Sequence, residues 1–211
     1  PQNFDRLNIF GKYHGKIGEN NTLNLSASAF SSKWKASGQI PERALQSGLI
    51  GYFGAIDPNE GGNTGRININ AQLTTNLGNG NFIKNQLYYT QYDFELFSNF
   101  TFFLNNEVDG DQIRQREKRD ILGYNGSYTH TGYMGDKILT TDIGAGFRFD
   151  KTRDSELSRT KDRTTITEAI KLGDIKELNT GVWINETIRM NERFNINAGL
   201  RWDRFDVSYK D

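Results

Sequence analysis

Two arginine–aspartate pairs with identical spacing stand in the second half of the chain. Arg148 precedes Asp150 by two residues, Arg201 precedes Asp203 by two, and Glu177 falls between the pairs. In an extended strand, residues two apart share a face, so each pair projects to one side. Guanidinium forks match carboxylate or catecholate oxygens, which makes the group a candidate anion-binding surface. The same five residues also suit a cross-strand ion-pair ladder that stiffens a sheet, the commoner use of such a group.

Other candidate chemistry is thinner. The stretch NNEVDGDQIRQR, Asn105 to Arg116, carries Asn105, Glu107, Asp109, Gly110 and Asp111 in nearly the order of a calcium loop. Its twelfth position is Arg116 where the bidentate Glu belongs, so a solvated loop is the better reading. The two histidines, His14 and His130, both fall near short turns, and with no Cys there is no zinc ligand set. No phosphate-cradling, nucleophile-elbow or dinucleotide fingerprint occurs, so no cofactor is implied and the chain does not read as an enzyme. Lys+Arg and Asp+Glu both number 26, which provides no net field for nucleic acid.

The elements that must position these residues follow from a period of two. Eight segments alternate apolar with polar side chains: about Phe4–Ile17, Thr22–Trp34, Gly65–Asn76, Phe82–Phe97, Arg119–Thr131, Ile138–Asp150, Ile175–Ile188 and Phe194–Asp206. In the fourth the alternation slips at Tyr88 and Tyr89, which predicts a bulge. Strands one and two, three and four, five and six, and seven and eight are joined by tight polar turns. The intervening connections, about Lys35–Thr64, Ser98–Lys118 and Lys151–Asp174, read as long loops, the last with alternating charge. Such parity of short and long links is the habit of an up-and-down membrane barrel, with short periplasmic turns and long extracellular loops.

Two further features favour lipid over a soluble core. The polar faces carry Asn, Ser, Gln, Thr and Gly more than Lys or Glu, which suits a confined wet interior. Aromatics near strand ends, Tyr13, Phe82, Tyr128, Phe149, Phe194 and Trp202, fit interfacial girdles. No apolar run reaches the roughly 18 residues of a transmembrane helix, a test that barrels escape. The parity sets both chain ends on the long-loop side, and DVSYKD lacks a closing aromatic. The expectation is therefore a partial barrel over residues 1–211, without plug, signal peptide or closing strand.

The stretches YTQYDFELFSNFTFFLNN, GDQIRQREKR and NINAGLRWDRFDVSY resemble strands and loops of TonB-dependent outer-membrane receptors. That resemblance implies a ligand-gated importer in the bacterial outer membrane, with a plug in the barrel and energy delivered by the TonB complex. It implies as partners outer-membrane lipid, the rest of the barrel and plug, and a small ligand such as a ferric siderophore, with no nucleic acid. Arg148, Asp150, Glu177, Arg201 and Asp203 then become an upper-lumen ligand surface. A passive porin or adhesive barrel, or a soluble all-β binding module, are the competing expectations.

Overall fold

Apolar residues alternating with Asn, Ser and Thr over a dozen positions are separated onto two sides only by extended backbone. The computed structural model describes residues 3–211, which form one eight-stranded sheet and one short helix. The strands are β1 (Asp5–Ile17), β2 (Asn21–Lys35), β3 (Gly61–Gly78), β4 (Asn81–Ser98), β5 (Ile113–Met134), β6 (Lys137–Lys161), β7 (Thr165–Arg189) and β8 (Asn195–Lys210). They lie side by side in chain order, each antiparallel to the next. Helix α1 (Glu42–Gln46) sits in the loop between β2 and β3. All eight expected strands are present, and the all-β up-and-down architecture is the one the turn parity predicts.

The third expected long loop is corrected. Lys151–Asp174 is not a loop: β6 and β7 run on as a paired hairpin to Lys161 and Thr165. Its turn closes by a bond from the Thr164 N–H to the Lys161 carbonyl at 3.1 Å, with Asp162 and Arg163 at φ 54° and 62°. Two left-handed central residues twist a hairpin in the sense its strands require, although Gly or Asn usually supplies them. Register shifts at Thr152/Ser155, Leu157/Ser158 and Arg159/Thr160 break the strict alternation that would have marked these strands in the sequence.

The bulge expected at Tyr88–Tyr89 is absent. Both residues pair without interruption, with Asn70 and Ile69 on one side and Gly123 and Leu122 on the other. What changes there is the environment and not the backbone. Toward the short turns, one face carries Ile69, Leu87, Tyr124, Ala145, Val182 and Leu200. Beyond Tyr89, Leu122, Phe149, Leu178 and Trp202 that same face continues as Asp93, Lys118, Lys151, Lys176 and Arg204. The opposite face changes the other way, to Tyr92, Phe94, Ile121, Ile175 and Phe205. The alternation inverts at one level across β4 to β8, as expected where an apolar surrounding gives way to water. Of the proposed girdle residues, Phe82 is corrected: it pairs with Thr129 on the polar face, with Lys84 4.8 Å above its ring.

No second layer covers either face. Among the described residues only Ala44 and Phe97 are buried apolar side chains, while Leu200 is 78%, Ile69 51% and Val182 50% exposed. A water-soluble sandwich would stack these faces into a core. The polar face is knitted across strands: Asn68 donates to Ser28 at 3.0 Å and accepts from Thr90 at 3.0 Å, and Gln86 donates to Asn70 at 2.7 Å.

Above the sheet, three connections meet in one polar junction. Asp57 accepts from the amides of Asn99 and Gln112, both at 3.0 Å. Gln112 in turn accepts from Thr160 at 3.0 Å and from the Arg163 N–H at 3.1 Å. The Arg163 side chain donates to the carbonyls of Asn59 and Glu60 and lies 5.2 Å over the Phe97 ring. These bonds hold the strained hairpin tip in place and explain why a residue with a reaching side chain occupies it.

Candidate functional site

The structure brings Arg148, Asp150, Glu177, Arg201 and Asp203 together on the polar face of β6, β7 and β8, around a concavity of about 530 Å³. Register sets them there: Asp150 stands directly opposite Glu177, and Gly181 opposite Asp203. The ion pairs run along strands, however, and not across them. Arg148 donates twice to Asp150, at 2.6 and 2.6 Å, and Arg201 twice to Asp203, at 2.7 and 2.7 Å. The second pair lies across Gly181, where a Cβ would come within 2.5 Å of the Asp203 carboxylate. Arg201 also covers the Trp183 ring at 5.4 Å, and Trp183 in turn lies over Gly144. Two guanidiniums facing three carboxylates leave the cluster with a formal charge of −1, and both forks are engaged. Each guanidinium spends its Nε and Nη2 on its own carboxylate, which leaves the Nη1 side for an incoming anion.

A second constellation, which the sequence reading passed over, occupies the same face of β1 to β5. One cross-strand row contains Phe30, Arg66, Tyr92 and Arg119, with Arg6 adjoining from β1. Arg6 lies 5.1 Å over the Phe30 ring and Arg66 5.0 Å over the Tyr92 ring. Tyr92 stacks in turn on Phe94, with centroids 6.3 Å apart. Arg119 is paired with Glu117 at 3.3 Å, whereas no ion pair involves Arg6 or Arg66 among the described residues. The signal was available: both arginines fall on the polar parity near long-loop ends, and no acid shares that parity in β1 to β4.

The calcium-like loop uses its carboxylates internally. Asp111 accepts from the backbone N–H groups of Asn105 and Asn106, at 3.0 and 2.9 Å, and from the Asn105 amide. Burial alone raises the Asp111 pKa, but these bonds outweigh it and hold the group below its ordinary value. Asp109 is held low by its 2.7 Å bond to Lys161. No metal-ligating group of three acids or histidines occurs among the described residues. His14 meets Asn24 on the polar face, and His130 meets Asn81 beside the turn after β3.

The model of the family described as TonB dependent receptor-like, beta-barrel matches residues 3–211. The chain belongs to the TonB-dependent receptors. Its apolar face is therefore the outward face of a barrel, and its polar face the lumen. Solved receptors share the fold of this receptor chain. They include the unliganded ferric citrate transporter FecA (TM-score 0.78, 11% identity, 99% of this chain and 30% of that one). BauA, the ferric preacinetobactin receptor of Acinetobacter baumannii, gives TM-score 0.77 at 9% identity, over 99% and 35%. The open form of Fiu, the ferric-catecholate import receptor of E. coli K12, gives 0.69 at 11%, over 98% and 38%. The chain thus spans about a third of the length of these receptors. No curated protein matches it.

Proposed function

We propose that this chain is a section of barrel wall in a ligand-gated importer of the bacterial outer membrane, energised through TonB and taking up a ferric siderophore or a similarly scarce nutrient. One observation carries the membrane part of this reading: a single-layer sheet whose apolar band stays open and ends, on β4 to β8, at one level of charge. Lipid accepts such a band and water does not. The family and the ligands named for the solved receptors support import over passive diffusion. In this reading Arg148, Asp150, Glu177, Arg201 and Asp203 form part of the upper lumen and meet the polar periphery of the cargo. The plug and the TonB-contacting segment belong to the same importer.

Spin labels in the full-length receptor test the membrane part. Labels at Ile143, Val182 and Ile196 should relax with lipid-soluble oxygen, and labels at Asp142 and Asn197 with a water-soluble reagent. If all three outward labels resist both reagents, they lie in a dry protein core and the reading fails. Import is tested separately, by iron uptake in cells with and without TonB; uptake that ignores TonB points to a passive barrel.

A further inference from the structure

On the outward face, where the apolar band ends, two lysines stand directly opposite each other: Lys151 on β6 and Lys176 on β7. The row beneath them is Phe149 opposite Leu178. Like charges facing each other across a strand pair destabilise it. The nearby acids are engaged elsewhere. Asp120, opposite Lys151 from β5, accepts from the Tyr89 hydroxyl at 2.6 Å and from Arg153. Asp154 is shared by Arg116 and Lys118 at 3.7 and 3.8 Å, and Asp206 pairs with Arg204 at 2.9 Å. Asp174, two residues from Lys176, accepts from the Asp154 N–H at 3.1 Å. Among the described residues neither Lys151 nor Lys176 makes an ion pair. Six residues below Lys151 the same face is hollowed: Gly126 stands opposite Ala145, and both line, with Val182, Leu200 and Trp202, an open groove of about 730 Å³. Six residues of strand rise about 20 Å. At a tilt of roughly 40° they cover about 15 Å of depth, half the hydrocarbon core, so the groove lies where the acyl chains of one leaflet end.

We infer that Lys151 and Lys176 together hold the phosphate of one lipid from the leaflet on the long-loop side, whose acyl chain runs down the wall past Phe149 and Leu178 into the groove beside Ala145. This rests on the membrane part of the proposed function and names the lipid class that this stretch of wall selects. A phosphate between two ammonium groups replaces one repulsion by two attractions, and lysine stems are long enough to reach the headgroup level while their methylenes stay against the apolar row. A zwitterionic headgroup brings its own cation and offers the pair less. The bound lipid also braces the root of the extended β6–β7 hairpin, because the first register shift, Thr152/Ser155, begins directly above the two lysines.

The test places the full-length receptor in phosphatidylcholine vesicles containing a minor fraction of either phosphatidate or phosphatidylcholine with brominated chains, which quench a nearby fluorophore. A fluorophore at Leu200→Cys, on the groove, should be quenched at least threefold more by the brominated phosphatidate. One at Ile69→Cys, on the outward face of β3 away from the lysines, should be quenched equally by both. Combined Lys151→Gln and Lys176→Gln should abolish the preference at Leu200. Combined Lys151→Arg and Lys176→Arg keeps the charge and should retain it, which separates recognition from misfolding. The inference is overturned if the two lipids quench Leu200 equally, if the double Gln variant keeps the preference, or if Ile69 shows the same preference. It is overturned as well if inorganic phosphate in excess erases the preference, since the lysines then hold a free ion and not a lipid. A label at Leu200 that neither brominated lipid reaches defeats the membrane reading and this site with it, whereas equal quenching defeats the site alone.

Discussion

The lumen faces of β1–β4 and of β5–β8 are built on the same parity and the same neutral ladder of Asn, Ser and Thr, yet they treat charge in opposite ways. In β5–β8 three lumen arginines have their counter-ion two residues away on their own strand, Glu117 for Arg119, Asp150 for Arg148 and Asp203 for Arg201, and Arg159 has Glu168 across the hairpin. In β1–β4 the arginines are backed by rings and no acid shares their side. A carboxylate two residues away makes an arginine a brace for the wall. A ring without a carboxylate keeps the charge on offer, whereas Arg201, with Trp183 beneath it and Asp203 beside it, is braced. Counting arginines in the lumen therefore says little about anion binding until the neighbours at i±2 are read as well.

The outward face does not share this asymmetry, and that can be checked with the largest expected effect. Ile69→Arg on β3 and Val182→Arg on β7 should each cost about 2–4 kcal/mol if near the bilayer midplane, measured by denaturant unfolding from lipid vesicles. A tolerated substitution in one half only would mean that the halves differ on the lipid side too.

The loop junction is where the two halves are tied. Asp57→Ala leaves the Asn99 and Gln112 amides without their acceptor and should destabilise the junction by about 1–3 kcal/mol. The readout is protease added to intact cells: cutting near Leu49–Phe53 should accelerate, while the turns near Asn20, Asn79 and Asp136 stay protected. Loss of protection at those turns instead would invert the orientation.

Asp150→Asn attacks the contrast itself. It releases Arg148 from a pair with one exposed and one buried member, at a cost of about 1 kcal/mol. It should also give the β5–β8 wall a gain in anion binding, read by equilibrium binding of ferric citrate to the full-length receptor. No gain would mean that the Asp150 brace is not what keeps that wall silent.

The smallest effect is expected at Glu60, which is buried, 3% exposed, and has one oxygen without a partner. Burial pushes its pKa up, a backbone bond from Asn99 opposes this, and Asp57 adds repulsion. The folded junction therefore favours the protonated acid. Its contribution is full below the ordinary carboxylate range and is lost as pH rises through the raised value. Glu60→Gln should flatten that slope, seen as loop proteolysis that no longer quickens from acidic to neutral pH.

Eight strands, their order and their faces were legible because lipid and lumen impose a period of two that few other surroundings sustain. The five-residue cluster was legible for the same reason, since parity alone places Arg148, Asp150, Glu177, Arg201 and Asp203 on one side. Who pairs with whom was not. Strand-internal bonds such as Arg201 to Asp203 depend on rotamers, and the cross-strand ladder that the spacing suggested gives way to them. The β6–β7 extension escaped notice because in water both faces of a hairpin accept charge, so its sequence loses the contrast on which the reading relied. At Tyr88–Tyr89 a change of surroundings was mistaken for a change of backbone.

The extended β6–β7 hairpin has a kinetic meaning as well. Between Lys151 and Lys176 it carries twelve charged side chains, and it stands on the far side of the lipid band from the short turns. At about 2–4 kcal/mol for each Arg or Lys at the midplane, unassisted passage of this tip through hydrocarbon is out of reach. The hairpin must be delivered through a polar opening while the wall is still being assembled. Once across, it acts as a ratchet pawl: retreat meets the same barrier that made entry depend on help, so the seated wall persists because it cannot leave at any useful rate.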